Sequence, residues 1–422
     1  MNRKFSLLFS LIVIFSFATR LYRLSEPNHY YFDEVYHVVT ARAYSQNNPA
    51  AYNPFAPPPE KNTAFDWLHP PLAKLIQASS IKIVGDKPLG WRLPSAIFGT
   101  GIVALTFIVA YLMFGPAAAV FSSLIISLEN LNLVMSRITM NDVFVTFFVL
   151  GSFGLGYLYE KTNKFKYLVL TSIFLGLAAS SKWSGFYAIF GVGFYIVFNK
   201  LRRKDFDFKL ILLIVLPVLI YLLSYGQFWL QGHSVKDFVD LNKQIWWYQN
   251  RRDLEHSYGT TPLYCVPKGL DGPKKLCPWI LDARGVYFSY EQYGQKAGFI
   301  YALGNPLIFW GGILAVSYVI GKYLEQRRKE YFLILVGYFI FWLPWIFSPR
   351  ILFLHHYLPS LPFLSISLGY VLSRIYKTRF KLLVWVFILA FAVAFFYLYP
   401  ISTGYPINVN SIDRFMLLGT WR

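Results

Sequence analysis

The sequence predicts an all-α polytopic membrane protein. Three observations carry that expectation: a composition poor in charge, a series of long apolar runs, and a lopsided distribution of lysine and arginine between the connections. Of 422 residues, 56% are hydrophobic, 20% aromatic and only 14% charged, too few polar side chains to cover a water-soluble surface. Apolar runs lie near 5–20, 91–114, 117–133, 142–159, 166–181, 184–199, 209–226, 299–321, 331–348, 351–373 and 381–399. A helix needs about 20 residues to cross the hydrocarbon core, which makes about eleven candidate spans.

Taken in order, the first run precedes Arg20 and Arg23 with no small-residue cleavage site before them. A retained helix is expected there, not a secretory signal. Alternate connections then carry Lys161, Lys164 and Lys166; Lys200, Arg202, Arg203, Lys204 and Lys209; Lys322, Arg327, Arg328 and Lys329; and Arg374, Lys377, Arg379 and Lys381. The connections between them hold one cation each, Arg137, Lys182 and Arg350. Cytoplasmic loops retain Lys and Arg, so with Arg3 and Lys4 inside, the N-terminus is expected in the cytoplasm and the C-terminus outside. The formal net charge of +19 is then topology, and no nucleic-acid partner is needed.

Two long polar segments, residues 20–90 and 227–298, fall outside in this arrangement and are the candidate catalytic loops. Within the first, a Pro-rich stretch at 54–59 precedes an amphipathic run over 72–84. At about 13 residues that run is too short to cross and suits a helix lying along the interface. Neither the two-fold repeat expected of many transporters nor a low-complexity segment is present. One membrane domain over 1–400 with an exterior tail at 401–422 is expected.

Asp33 and Glu34 follow the first run within Tyr30-Tyr31-Phe32-Asp33-Glu34-Val35-Tyr36-His37. Partial desolvation among those aromatics would raise a carboxylate's pKa toward the range of a general base, whereas an exposed acidic turn would carry no function. Charges at the ends of apolar runs are costly and so informative. They are Arg92, Glu129, Arg137 and Asp142, with Lys182 between two runs and Arg350 before His355-His356. As a ring of exterior cations they suit a lipid phosphate; as structure they suit snorkelling or ion pairs such as Arg92 with Glu34 or Arg137 with Asp142.

His69 precedes Pro70-Pro71, where a rigid turn explains the prolines without the imidazole. His37, His69, His233, His256, His355 and His356 show no His-x-x-x-His pair, so no metal site is indicated, although a divalent metal is left open. Cys265 and Cys277 share one polar segment; they cannot build a four-ligand zinc site and are free to pair if that loop is outside. Trp246, Trp247, Trp279 and Trp310 suit an aromatic belt first and a sugar platform second. Walker, GxSxG and GxGxxG patterns are missing, so a soluble nucleotide donor lacks its usual cradle.

These residues together resemble the protein O-mannosyltransferases, polytopic GT-C enzymes that use dolichyl- or polyprenyl-phosphate mannose. The likeness rests on Phe32-Asp33-Glu34, His69-Pro70-Pro71-Leu72-Ala73-Lys74, Arg92-Leu93, and Leu128-Glu129-Asn130 leading to Ser136-Arg137 and Asp142. It continues through Ser181-Lys182-Trp183-Ser184-Gly185, His256-Ser257-Tyr258, Gly304-Asn305-Pro306 and His356-Tyr357-Leu358-Pro359, so it spans about residues 30–363. The resemblance implies a GT-C fold, Asp33 as catalytic carboxylate, Glu34 helping to bind or orient acceptor, and Arg92 holding the acidic pair. It also implies donor-phosphate contacts from Arg137, Lys182, Arg350 and His356, and substrate-loop contacts from His69, His256 and Tyr258. The lumenal β-trefoil insertion of many eukaryotic members has no counterpart, and residues 259–283 depart from the usual pattern. A short prokaryotic-type enzyme in the plasma membrane is expected.

The expected reaction moves mannose from the lipid phosphate to Ser or Thr hydroxyls of exported proteins, by one inverting displacement with Asp33 as base. The partners implied are the lipid donor, a Ser/Thr-containing protein and membrane lipid. The nearest competing expectation is a related GT-C enzyme that places mannose, arabinose or aminoarabinose on a lipid or wall glycan. A transporter would instead show polar midplane residues and repeat symmetry, and a structural subunit would tolerate loss of the acidic pair.

Overall fold

The computed structural model describes residues 3–205, 207–251, 253, 258–267 and 274–421. The chain is mostly helical. Its helices are α1 (Arg3–Leu21), α2 (Glu34–Ser45), α3 (Leu72–Val84), α4 (Pro88–Phe114), α5 (Pro116–Ser127), α6 (Asn130–Met135), α7 (Asp142–Thr162), α8 (Phe165–Ser181), α9 (Phe186–Arg202) and α10 (Leu212–Ser224). They continue with α11 (Gly226–Leu230), α12 (Val235–Gln249), α13 (Pro306–Gln326), α14 (Lys329–Phe339), α15 (Leu361–Ile375), α16 (Lys381–Thr403) and α17 (Ile412–Phe415). Among the described residues, eight helical stretches are long and apolar enough to cross a bilayer, and the apolar helices over 116–127, 165–181 and 208–224 are shorter.

Local signals place the helix ends. Gly115 at φ +87° turns the chain so that Pro116 opens α5, a position where proline gives up no needed donor. Ser234 and Asp237 form a capping box that starts α12. Asn163 and Arg327 end α7 and α13 in the left-handed conformation.

The chain divides into two compact units: residues 1–23, 96–137 and 255–422 form the first, and residues 24–95 and 138–254 the second. In the first, α5 and α13 pack on α15. A Cβ on Gly369 would come within 2.5 Å of the Ser122 backbone nitrogen, so α5 and α15 meet at van der Waals distance through a position without a side chain. In the second, α8 packs on α7 and α10 while α2 packs on α3.

Three expected boundaries move. The run at 117–133 breaks at Glu129, whose side chain accepts from the backbone N–H of Leu131 and Asn132 and so starts a new helix. The run expected at 299–321 begins as a strand, because Lys296–Ala302 pairs antiparallel with Val286–Tyr293 and helix starts only at Pro306. The segment expected as a tail at 401–422 folds back, with Ile407–Asn408 pairing to the 296–302 strand and Trp421 buried beside Leu398 and Ile401.

The loop expected at 227–298 carries most of the strands: β1 (Tyr258–Thr260), β2 (Tyr264–Pro267), β3 (Lys275–Leu276), β4 (Val286–Tyr293) and β5 (Lys296–Ala302), with β6 (Ile407–Asn408) completing the second sheet. Cys265 and Cys277 are disulfide-bonded. Such strands escape a reading of apolar runs because they are short and mixed in polarity.

Gly369→Val should overpack the α5–α15 contact at a cost of about 1–3 kcal/mol. A lower thermal midpoint of the detergent-purified protein is expected, whereas Gly193→Ala, within α9 and with nothing within 4 Å of the added Cβ, should not lower it.

Candidate active site

The acidic pair sits at the start of α2, and its two carboxylates differ. Phe32 adopts φ +50°, a left-handed turn unusual for a bulky residue and typical of constrained sites. It delivers Asp33 to the N-cap of α2, where the Asp33 carbonyl accepts from the N–H groups of Tyr36 and His37 at 3.0 Å each.

Glu34 points inward and is fully buried. Its Oε1 accepts from Arg92 Nε at 2.8 Å and from the Thr139 N–H at 3.0 Å, and its Oε2 from Arg92 Nη2 at 2.8 Å. Arg92 spends its remaining donors on the carbonyls of Leu24, Pro27 and His29, at 3.1, 2.9 and 2.9 Å. Its guanidinium also lies 4.7 Å from the Tyr31 ring centre. A buried ion pair is tolerable when the geometry is bidentate and the leftover donors are satisfied, as they are here.

Asp33 is half-buried, and among the described residues no hydrogen bond or ion pair engages its carboxylate. Burial pushes its pKa up to about 6, with His37 and Lys182 pulling it down and Asp66 and Asp142 adding to the rise. One carboxylate is therefore locked and its neighbour is open.

Other charges gather near Asp33 within the second unit. Lys182, at the end of α8, donates to Asp142 Oδ1 at 2.8 Å, and Asp142 opens α7, where the helix dipole favours an anion. Asp66 lies 2.6 Å from Lys74 Nζ and 3.0 Å from His37 Nδ1. Burial pushes the Asp66 carboxyl up, but its close partner Lys74 outweighs that and holds it well below the usual carboxylate range. The His69 ring stacks parallel to His37 at 6.2 Å. Burial drives His69 down to about 3, against the pull of Asp66, so it is neutral at physiological pH.

The remaining expected residues belong to the first unit. Arg137 Nη1 donates to the carbonyls of Arg20 and Tyr22 at 2.7 Å each, and Nη2 to that of Arg23 at 3.2 Å. It thereby seals carbonyls at the C-terminal end of α1 that the helix cannot satisfy itself. His356 is half-buried among rings, 6.3 Å from Trp279, 5.3 Å from Trp345 and 4.7 Å from His355. Arg350 is half-buried, its backbone N–H 3.4 Å from Ser348 Oγ. Tyr258 takes part in β1 through its backbone, and His256 lies outside the described residues.

The structure thus groups Asp33, Glu34, Arg92, Lys182 and His69 in one unit and holds Arg137, Arg350 and His356 in the other. Sequence reasoning missed Asp66. It is one acidic residue in a polar loop, Thr63-Ala64-Phe65-Asp66-Trp67, and the only signal was its place just before His69 and Lys74. His37 drew notice only as a metal candidate. Among the described residues, no group of three or more His, Cys, Asp and Glu side chains is placed to hold a metal ion.

Comparison with known proteins adds the family. The chain is similar to the polyprenol-phosphate-mannose–protein mannosyltransferase of Corynebacterium glutamicum, 24% identical over 98% of this chain and 93% of that one. Among solved structures it resembles the Saccharomyces cerevisiae protein O-mannosyltransferase Pmt1–Pmt2 complex bound to the sugar donor, with a TM-score of 0.78 at 16% identity, covering 100% of this chain and 93% of that chain. It also resembles ArnT from Cupriavidus metallidurans bound to undecaprenyl phosphate, with a TM-score of 0.60 at 15% identity, covering 89% and 61%. These likenesses give the GT-C fold of an integral, multi-pass membrane protein. Residues 234–421 match the C-terminal four-transmembrane region of protein O-mannosyltransferases. Residues 10–235, more than half of the sequence, match the dolichyl-phosphate-mannose–protein mannosyltransferase family model, and the chain belongs to that family of glycosyltransferases.

Proposed function

We propose that the protein transfers mannose from polyprenyl- or dolichyl-phosphate mannose to Ser or Thr hydroxyls of exported proteins, with Asp33 as the general base. The observation that carries the base assignment is the contrast within the acidic pair: Glu34 is consumed by Arg92, while Asp33 is accessible, unengaged and poised near neutrality.

The donor is already activated, because its leaving group is a stable phosphate anion. That group needs neutralisation more than protonation. A Ser or Thr hydroxyl is a weak nucleophile at neutral pH, so a carboxylate must accept its proton as it attacks. The acceptor oxygen bonds to the anomeric carbon from the face opposite the phosphate, the carbon–phosphate oxygen bond breaks with its electron pair, and Asp33 keeps the proton. One displacement inverts the anomeric centre, so a β-linked donor gives an α-linked product.

Lys182 is the cation nearest in role to the departing phosphate. It acts with Asp33 on one electrostatic neighbourhood, and its ammonium retains donors beyond the one given to Asp142. For Arg350 and His356 the support for phosphate contact is the motif resemblance. Arg137 instead serves the end of α1, and Glu34 with Arg92 positions the site without touching acceptor.

The working face is assigned to the outside of a prokaryotic plasma membrane, with the N-terminus cytoplasmic and residues 1–400 as the catalytic domain. Lysine and arginine asymmetry supports that orientation. So does the Cys265–Cys277 disulfide, which suits an oxidising compartment.

Asp33→Asn should retain donor binding while kcat falls about 10²-fold or more, typical of a lost general base; transfer of labelled mannose from polyprenyl-phosphate mannose to a Ser/Thr peptide measures it, and near-normal turnover would sink the assignment. The base works deprotonated, and Asp33 gains its proton as pH drops through about 6, so kcat/KM should hold above that value and fall about tenfold per unit well below it. Glu34→Gln should behave differently, since it leaves Arg92 buried without its counter-charge at a cost of about 3–5 kcal/mol. The measurement is thermal stability in detergent, and an unshifted melting midpoint would contradict the clamp.

A further inference from the structure

We propose that Asp66 is a positioning residue for the transfer step, held with His37 and Lys74 in a buried charge cluster that fixes α2 and sets the charge around Asp33. The proposal rests on Asp33 being the base.

The cluster is costly to bury. Lys74 is fully buried and Asp66 is 4% exposed, and burying such charges is tolerated only with close pairing, which by itself is weak evidence of a gain in stability. Its geometry points to α2. His37 Nδ1 lies 3.0 Å from Asp66 Oδ2, and the Asp66 backbone N–H donates to Thr40 Oγ1 at 2.7 Å. Both partners are on α2, the helix that Asp33 begins. His37 stands four residues after Asp33, one helical turn away and on the same face. Lys74 anchors the other side of Asp66 from α3 at 2.6 Å, and Asp66 Oδ1 accepts from the Leu68 N–H at 3.2 Å. A single carboxylate thus ties α2, the 63–69 loop and α3 together.

The charged groups that act on Asp33 come from four elements: His37 on α2, Asp66 on the loop before α3, Lys182 at the end of α8 and Asp142 at the start of α7. Lys182 and Asp142 pair with each other at 2.8 Å, and they act on Asp33 in opposite directions and less strongly than His37 and Asp66 do. His37 and Asp66 also act in opposite directions. The Asp66 charge strengthens Asp33 as a proton acceptor, and His37 weakens it. Asp66 has its oxygens committed to Lys74, His37 and Leu68, so it acts through Asp33 and not on the hydroxyl itself.

The test uses the full-length protein in lipid nanodiscs, polyprenyl-phosphate mannose and a Ser/Thr peptide, with kcat/KM followed from acid to neutral pH. Asp66→Asn should move the acid limb to lower pH by about one unit and lower the plateau several-fold, because a weaker base remains. His37→Gln, whose amide can still donate to Asp66, should move the limb the opposite way, and it carries the test if Asp66→Asn does not accumulate in membranes. Lower yield with the acid limb unmoved in the variants that fold would mean a purely structural cluster and would overturn the proposal, while Asp33→Asn, measured alongside, would still be inactive. Transfer retained by Asp33→Asn would remove the base assignment and this proposal with it.

Discussion

The second unit is organised around one buried contact, the two-pronged ion pair of Arg92 with Glu34. Arg92 sits in an apolar helix where an uncompensated guanidinium would be prohibitive. Its donors converge on one carboxylate and three carbonyls from residues 24–29. Glu34 in turn receives the N–H of Thr139. Four stretches of chain are therefore fixed to one point, and the first residue of α2 is among them. Holding Glu34 thereby fixes where the backbone of Asp33 enters α2.

That arrangement gives two adjacent carboxylates different surroundings. A residue and its neighbour at a helix start point in different directions, so one can enter the protein while the other stays accessible. The inward residue is fully paired. The outward one has no hydrogen bond to its carboxylate among the described residues, and burial pushes its pKa up to about 6. A general base needs both properties. Behind it, the Asp66 cluster reaches α2 one turn further on, so the same helix is held at its first residue and again near its middle.

Elsewhere, charges at the ends of apolar helices prove to be caps and clamps. Glu129 accepts three backbone N–H groups, from Leu131, Asn132 and Asn305, and so joins the start of α6 to the turn before α13. Arg137 does the complementary service for carbonyls leaving α1. Helix termini in a low-dielectric setting cannot rely on water for their unpaired groups, and a buried charged side chain meets several of them at once. A cation beside a membrane run therefore does not by itself indicate a phosphate contact.

Composition, the length of the apolar runs and the order of motifs determined the membrane class, the family and the place of the acidic pair, because each is a property of neighbouring residues or of spacing along the chain. The pairing of Glu34 with Arg92 was visible in the sequence as one structural alternative to a phosphate-holding ring, and the structure contains that pair. The family resemblance already implied unequal roles for Asp33 and Glu34, and tertiary structure supplied the physical difference, which depends on which oxygen meets a guanidinium 58 residues away. Asp66 was nearly illegible for a similar reason: its place just before His69 and Lys74 is a weak local signal, and its partners His37 and Lys74 come from two different helices. The strands at 258–302 escaped because short segments of mixed polarity gain their order from pairing across the sheet, which no periodicity along a single strand records.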